Sequence, residues 1–239
     1  MPSQIDKLEA LASHLLDGFL QLRQRYALLE PMLFNQNVVR TRGSGKQTRG
    51  FNTLRFSLFL GCIQDIAKYS SDRYPGTPSI YNVVSQLEDT PLRNSLRERY
   101  SRWRIPLAEE EGDPQVIEAL KRMEVREESE RRIEFDSNYQ TLLSSWNKLS
   151  AMPSIDAFRT IRDKITAHTE IRFVADKYQP VDIGMLGVKW GDLKVAILEM
   201  QESVEMIGLI VRNAGFAWDM FERQIAEAAN GFWDTGTSN

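Results

Sequence analysis

The chain has 239 residues, 42% of them hydrophobic and 26% charged, which is an ordinary globular composition. Its net charge of −3 gives no global attraction to nucleic acid or to an anionic membrane, so any such binding must come from a local patch. One cysteine, Cys62, excludes an intramolecular disulfide and a cysteine-based zinc site. It sits in the apolar run "LRFSLFLGCIQDIA" and reads as a small buried hydrophobe suited to a reducing cytoplasm. The start, "MPSQIDKLEALAS", lacks the basic and then apolar order of a signal peptide. No uninterrupted apolar run approaches the roughly 20 residues of a membrane span. The expectation is a soluble cytoplasmic protein.

Helical spacing runs through almost every segment, and strand alternation is nearly absent. Over 4–30, Ile5, Leu8, Leu11, Ala12, Leu15, Leu16, Phe19 and Leu22 form one stripe, with Pro31 expected to stop the helix. The loop "RTRGSGKQTRG" (40–50) is basic and glycine-rich. A helix over about 51–71 is expected to bury Phe51, Leu54, Leu58, Ile63 and Ile66. "RYPGTPS" punctuates the chain. Thr77-Pro78, Thr90-Pro91 and Asp113-Pro114 each place a capping oxygen before a proline at the first helical position. From Pro114 a helix extends to about Ser150, with charge concentrated in its first half. "AMPS" (151–154) breaks it, and Ser154 or Asp156 caps the next helix. Residues 174–191 read as a loop with room for a short hairpin. A final helix spans about 192–229, and the tail "DTGTSN" should fray. No solenoid repeat and no linker between two cores is visible. The expected architecture is all-α: one domain over 1–239, a bundle of long antiparallel helices with Pro- and Gly-containing connections near 31–50, 73–78 and 106–114.

Three stretches are candidates for chemistry. "GSGKQT" (43–48) glances at a phosphate loop, but Arg40 and Gln47 occupy the positions where that pattern needs Gly and Ser or Thr. A solvated loop is the simpler reading, with Lys46 as its candidate phosphate contact. "LRNSLRERYSRWR" (92–104) interleaves five arginines with Tyr100 and Trp103. Arg97, Arg102 and Arg104 are candidate RNA contacts, since arginines beside rings suit phosphates and stacked bases. The competing reading is a charged helix face that the two aromatics anchor to the core. The third stretch is "IRDKITAHTE" (161–170), which holds Arg162, Asp163 and one of only two histidines, His168.

His14, the other histidine, has no arginine six positions before it and reads as a boundary residue. No His and carboxylate spacing resembles a metal site, and no cofactor is expected. The Arg162–His168 spacing alone is weak evidence. With 21 arginines in 239 residues, one falls four to seven positions before a given histidine in roughly a third of cases by chance. The residue types say more. Arginine offers a fixed, charged fork to a phosphate, and histidine exchanges a proton near neutral pH. Together they suit cleavage of RNA without metal. On an ideal helix, however, six residues advance about 9 Å and leave the two side chains roughly 120° apart. Either the helix distorts near His168, or the groups meet across a two-fold dimer, which would also supply a second histidine.

At these residues the sequence resembles a HEPN domain. "IRDKITAH" is similar to the abortive-infection, AbiU-like branch, in which Arg-Asn/Asp-Lys leads into Ala-His. "FNTLRFSLFLGCIQDIAKYSSD" followed by "PSIYNVVSQLED" resembles the helices ahead of that motif. The likeness covers roughly 45–175, and the long C-terminal helix maps to nothing in it. The resemblance implies an all-α, homodimeric RNA endonuclease, a toxin or antiphage effector with room for an antitoxin partner, leaving 2′,3′-cyclic phosphate ends. It puts Arg162 on the scissile phosphate, His168 as acid or base and Asp163 in an orienting role, whose plain alternative is surface pairing with Arg159 or Lys164. Some HEPN domains are non-catalytic, so a helical RNA- or protein-binding module is the alternative.

Overall fold

The computed structural model describes residues 3–106, 113–166, 171–174, 177–180 and 183–234. Among these residues nine α-helices account for nearly all regular structure. They are α1 (Gln4–Phe34), α2 (Gln36–Arg42), α3 (Thr48–Ser71), α4 (Ile80–Leu87), α5 (Thr90–Ser101), α6 (Pro114–Ser150), α7 (Pro153–Ile161), α8 (Trp190–Arg212) and α9 (Trp218–Trp233). The all-α expectation holds. One antiparallel hairpin, β1 (Ile171–Val174) and β2 (Lys177–Pro180), pairs Ile171 with Pro180 and begins three residues before the segment expected to contain it.

Contacts at successive heights fix the helix directions. Gly18 lies against Tyr69 and Arg25 pairs with Asp65, so α1 and α3 are antiparallel. The Arg23–Gln201 and Lys194–Glu30 bonds make α1 and α8 antiparallel. The pairs Arg131–Asn213, Ser145–Ser203 and Lys148–Glu199 do the same for α6 and α8. Helix α9 instead runs parallel to α1, since Arg23 meets Glu222 and the Trp233 indole donates to the Leu28 carbonyl at 2.9 Å. At Gly18 an added Cβ would run into the tip of the Tyr69 ring, so the glycine leaves room for that buried side chain between α1 and α3.

The main core is contiguous and includes the predicted α1 stripe. Leu8, Leu15, Phe19 and Leu22 are fully buried, together with Ile63, Ile66, Phe135, Phe158 and Met200. Cys62 is buried among them, and burial pushes its thiol up to about 12. Leu54, expected in the core, is exposed, and Leu58 is only partly buried. In α6 the buried residues begin at Phe135, which leaves the charge-dense first half outside the core.

Several expected boundaries move for identifiable reasons. Pro31 does not stop α1. The helix continues to Phe34 because Met32 is fully buried in a second cluster with Val38, Phe51 and Trp233. Asn35 then ends α1, its N–H donating to the Pro31 carbonyl at 3.0 Å, while its side chain caps α2. Thr77-Pro78 does not start α4. Ser79 does, accepting from the Asn82 N–H at 3.2 Å while donating to the Asp72 carbonyl at 2.7 Å. Asp89, rather than Thr90, is the residue that enters α5. Asp113 caps α6 as its sequence suggests. Neither Ser154 nor Asp156 caps α7, which starts from Met152 with Pro153 in its first turn. The expected last helix is two. Asn213 adopts φ 50°, the left-handed conformation, and its N–H bonds the Leu209 carbonyl at 3.0 Å, ending α8. No helix among the described residues is long and apolar enough to cross a membrane. The tail beyond Asp234, and most of the connection before Asp113, lie outside the described residues.

Candidate nuclease site

Helix α7 delivers Arg162. Its apolar positions Ile155, Phe158 and Ile161 are fully buried, so the next residue emerges at the edge of the core. From Arg162 to Thr166 the winding changes from α to π. The ideal-helix angle between Arg162 and His168 therefore does not apply, because the wider turn begins at the arginine itself. His168 lies outside the described residues.

Arg162 is three-quarters buried and tied to two carboxylates. Its Nη1 donates to Asp72 Oδ2 at 3.2 Å, and its Nε donates to Asp163 Oδ1 at 2.8 Å. Asp163 thus sits on Arg162. Arg159, one of the partners weighed for Asp163, instead bonds Asp156 at 3.0 Å and Ser71 Oγ at 3.1 Å. Asp72 carries no signal in the sequence. It lies 90 positions from Arg162, and only the packing of α7 and the π turn on the end of α3 joins the two.

The chain builds Asp72 with care. Its Oδ1 accepts the Tyr74 N–H at 2.9 Å, and its carbonyl accepts from the fully buried Ser79 hydroxyl. The Asn82 side chain, also buried, donates to the Tyr74 and Thr77 carbonyls at 2.7 and 2.9 Å. Asp72 directly follows α3, so the Arg162 cation also meets the negative end of that helix. A partly exposed pair of this kind contributes up to about 1 kcal/mol after solvent screening. Its larger consequence is to hold the guanidinium in one place.

The arginines of the 92–104 stretch are arranged differently. Arg97 is bidentate to Asp136, at 2.8 and 2.6 Å, and that hydrogen bonding raises its pKa. Arg104 reaches Glu128 at 2.5 Å. Arg99 bonds Glu9 and the Val211 carbonyl, and Arg93 lies over the Tyr139 ring while donating to the Leu87 carbonyl. Arg102 is exposed. Tyr100 is buried against Phe135, which pushes its hydroxyl up to about 12. This stretch packs on α6, whereas Arg162 packs on α3, so the two do not form one cluster. Lys46 lies in a short 3₁₀ turn before α3, and among the described residues no strand leads into it. His14 is exposed, 3.9 Å from Asp17. Among the described residues no group of His, Cys, Asp and Glu has a metal-holding arrangement.

No curated protein and no solved structure matches the chain. A protein family does. The match runs over residues 5–232, well beyond the 45–175 region carrying the resemblance, and it takes in α1, α8 and most of α9. The C-terminal helices, which the resemblance left without a counterpart, are thus part of the family's extent. With so nearly complete a match, the chain belongs to the HEPN AbiU2 family.

Proposed function

We propose that this chain is a HEPN-type RNA endonuclease with a role in abortive infection, working as a homodimer. The observation that carries the reading is Arg162, fixed by Asp72 and Asp163 where α7 turns into a π turn, in a chain of this family. Turns of that kind recur at functional sites because they displace side chains from helical register.

In the proposed reaction the ribose 2′-oxygen attacks the adjacent phosphorus. The O2′–P bond forms, the P–O5′ bond breaks, and a 2′,3′-cyclic phosphate and a 5′-hydroxyl result. His168 accepts the 2′-hydroxyl proton, and the histidine of a second copy gives a proton to the departing 5′-oxygen. Arg162 steadies the charge that builds on the phosphoryl oxygens. Asp163 and Asp72 keep the guanidinium aimed, so they are positioning residues. No metal takes part in these steps. Incubating purified protein with several RNAs, tRNA among them, in EDTA tests the reading, with the oligomeric state measured alongside. Cleavage by a dimer is expected, and RNA left intact across all substrates would contradict the proposal.

One observation favours a second reading. The Asp72–Arg162 pair also makes a strut that joins the end of α3 to the turn after α7, as a helical RNA- or protein-binding module without catalysis would use it. That module predicts salt-sensitive binding that survives His168→Ala and leaves no new RNA ends.

A further inference from the structure

Between Pro31 and Gln64 the chain holds five basic residues, Arg40, Arg42, Lys46, Arg49 and Arg55, and no carboxylate. They fall on α2, the 3₁₀ turn and the first half of α3. Among the described residues, Arg42, Lys46, Arg49 and Arg55 have no carboxylate partner. Rings are exposed nearby. Phe232 is 59% exposed, Phe56 48% and Trp190 41%.

Cations and rings alternate across two adjoining clefts. The first, about 480 Å³, lies between Arg42, Lys46, Phe51 and Phe232. The second, about 540 Å³, lies between Asn52, Phe56, Phe59 and Trp190. Arg55 lines the second cleft, its guanidinium 5.8 Å from the Trp190 ring centroid and 5.8 Å from that of Phe51, which lines the first. The Trp190 ring is itself held edge-on to Phe59 at 4.5 Å.

We infer that this face docks single-stranded RNA, with phosphates on Arg42, Lys46, Arg49 and Arg55 and unpaired bases stacked on Phe232, Trp190 and Phe56. A single strand alternates an anion with a flat ring, which is the pattern the face presents in complement. A duplex would hide its bases from those rings. An apolar protein segment would fill the clefts while leaving the cations without counter-charge, and burying them unpaired is unfavourable. The inference rests on reading the chain as a protein that acts on RNA. It adds a docking surface remote from Arg162, since roughly 25 Å of α3 separates Arg55 from Asp72.

The test is fluorescence anisotropy on the full chain with a labelled, fully 2′-O-methylated single-stranded RNA of about 20 nucleotides. That strand lacks the 2′-hydroxyl nucleophile, so the result does not depend on cleavage. The Arg42→Glu/Lys46→Glu/Arg49→Glu variant should bind at least ~10-fold more weakly and lower the salt slope by about 2, near 0.7 for each phosphate no longer neutralised. Phe232→Ala, at an exposed position that need not disturb folding, should weaken binding ~5-fold or more. Arg97→Ala, whose charge is already paired, should stay within about twofold of wild type. Wild-type-like binding by the triple variant would overturn the inference. So would equal affinity for duplex RNA, or a preference for phosphatidylserine-containing vesicles. Cleavage that persists while this binding is unaffected by the triple variant would remove the docking face alone. Binding through the face without any cleavage would remove the nuclease reading alone.

Discussion

Arg97, Arg99 and Arg104 of the 92–104 stretch meet carboxylates on neighbouring helices, whereas Arg42, Lys46 and Arg49 at the α2–α3 corner meet none among the described residues. Arg97 meets Asp136, Arg104 meets Glu128, and Glu98 on the same helix meets Arg132. Among the described residues no such acidic helix lies opposite Arg42, Lys46 or Arg49. Both regions are arginine-rich in sequence, but Arg97, Arg99 and Arg104 are engaged by carboxylates on other helices, while Arg102 is exposed. What decides a patch's reach is the charge of the element packed against it, not the number of arginines in it. Arg162 belongs to a third kind: partly buried, held by two carboxylates, and placed at a change of helix winding.

The largest effect expected along this comparison is on stability. Phe135→Ala removes the fully buried ring on which Tyr100 anchors α5, and should destabilise the fold by about 3–5 kcal/mol in urea unfolding. Wild-type stability would mean that ion pairs rather than the core hold α5. Next comes Arg162→Ala, which should lower RNA cleavage by roughly 100- to 1000-fold, the usual scale for removing one donor from an oxyanion. Arg97→Ala and Arg104→Ala should change it by no more than about twofold. An equal loss in all three would erase the distinction between α5 and Arg162.

A smaller effect belongs to the pairs themselves. A double-mutant cycle on Arg97 and Asp136 should give a coupling of about 0.2–1 kcal/mol, reduced by salt. Arg49→Ala should stay within about 0.5 kcal/mol of wild type in the same assay. A pH-dependent effect is expected at Cys62. The unfolded chain releases the thiol proton near its ordinary value of 9.0, and the folded chain keeps it to about 12. Stability should therefore fall as pH rises through that window, and Cys62→Ser should flatten that slope in unfolding measured from about pH 8 to 10.

The helical bundle was legible because its apolar residues keep helical spacing and end at recognisable caps, as at Asp113. What the sequence did not reveal came from tertiary neighbours. Met32 carries α1 past Pro31 because Phe51 and Trp233, distant in sequence, join nearby Val38 in burying it. Asn213, Ala214 and Gly215 carry a stop signal that the apolar run around them obscured. At the candidate site, residue type and family likeness single out Arg162 and Asp163, while their spacing alone is close to chance, and Asp72 is not marked at all. Nothing local marks it, and only the α3–α7 contact brings it to the guanidinium. The pairing of Arg97 and Arg104 was hidden for the same reason, since their carboxylates lie on another helix.

End-group analysis of RNA incubated with wild type, Arg162→Ala and His168→Ala tests the central claim most directly. The account predicts 2′,3′-cyclic phosphate and 5′-hydroxyl ends from the wild type, formed in EDTA and lost in both variants. Equal amounts of those ends from all three proteins, or none from the wild type, would contradict it.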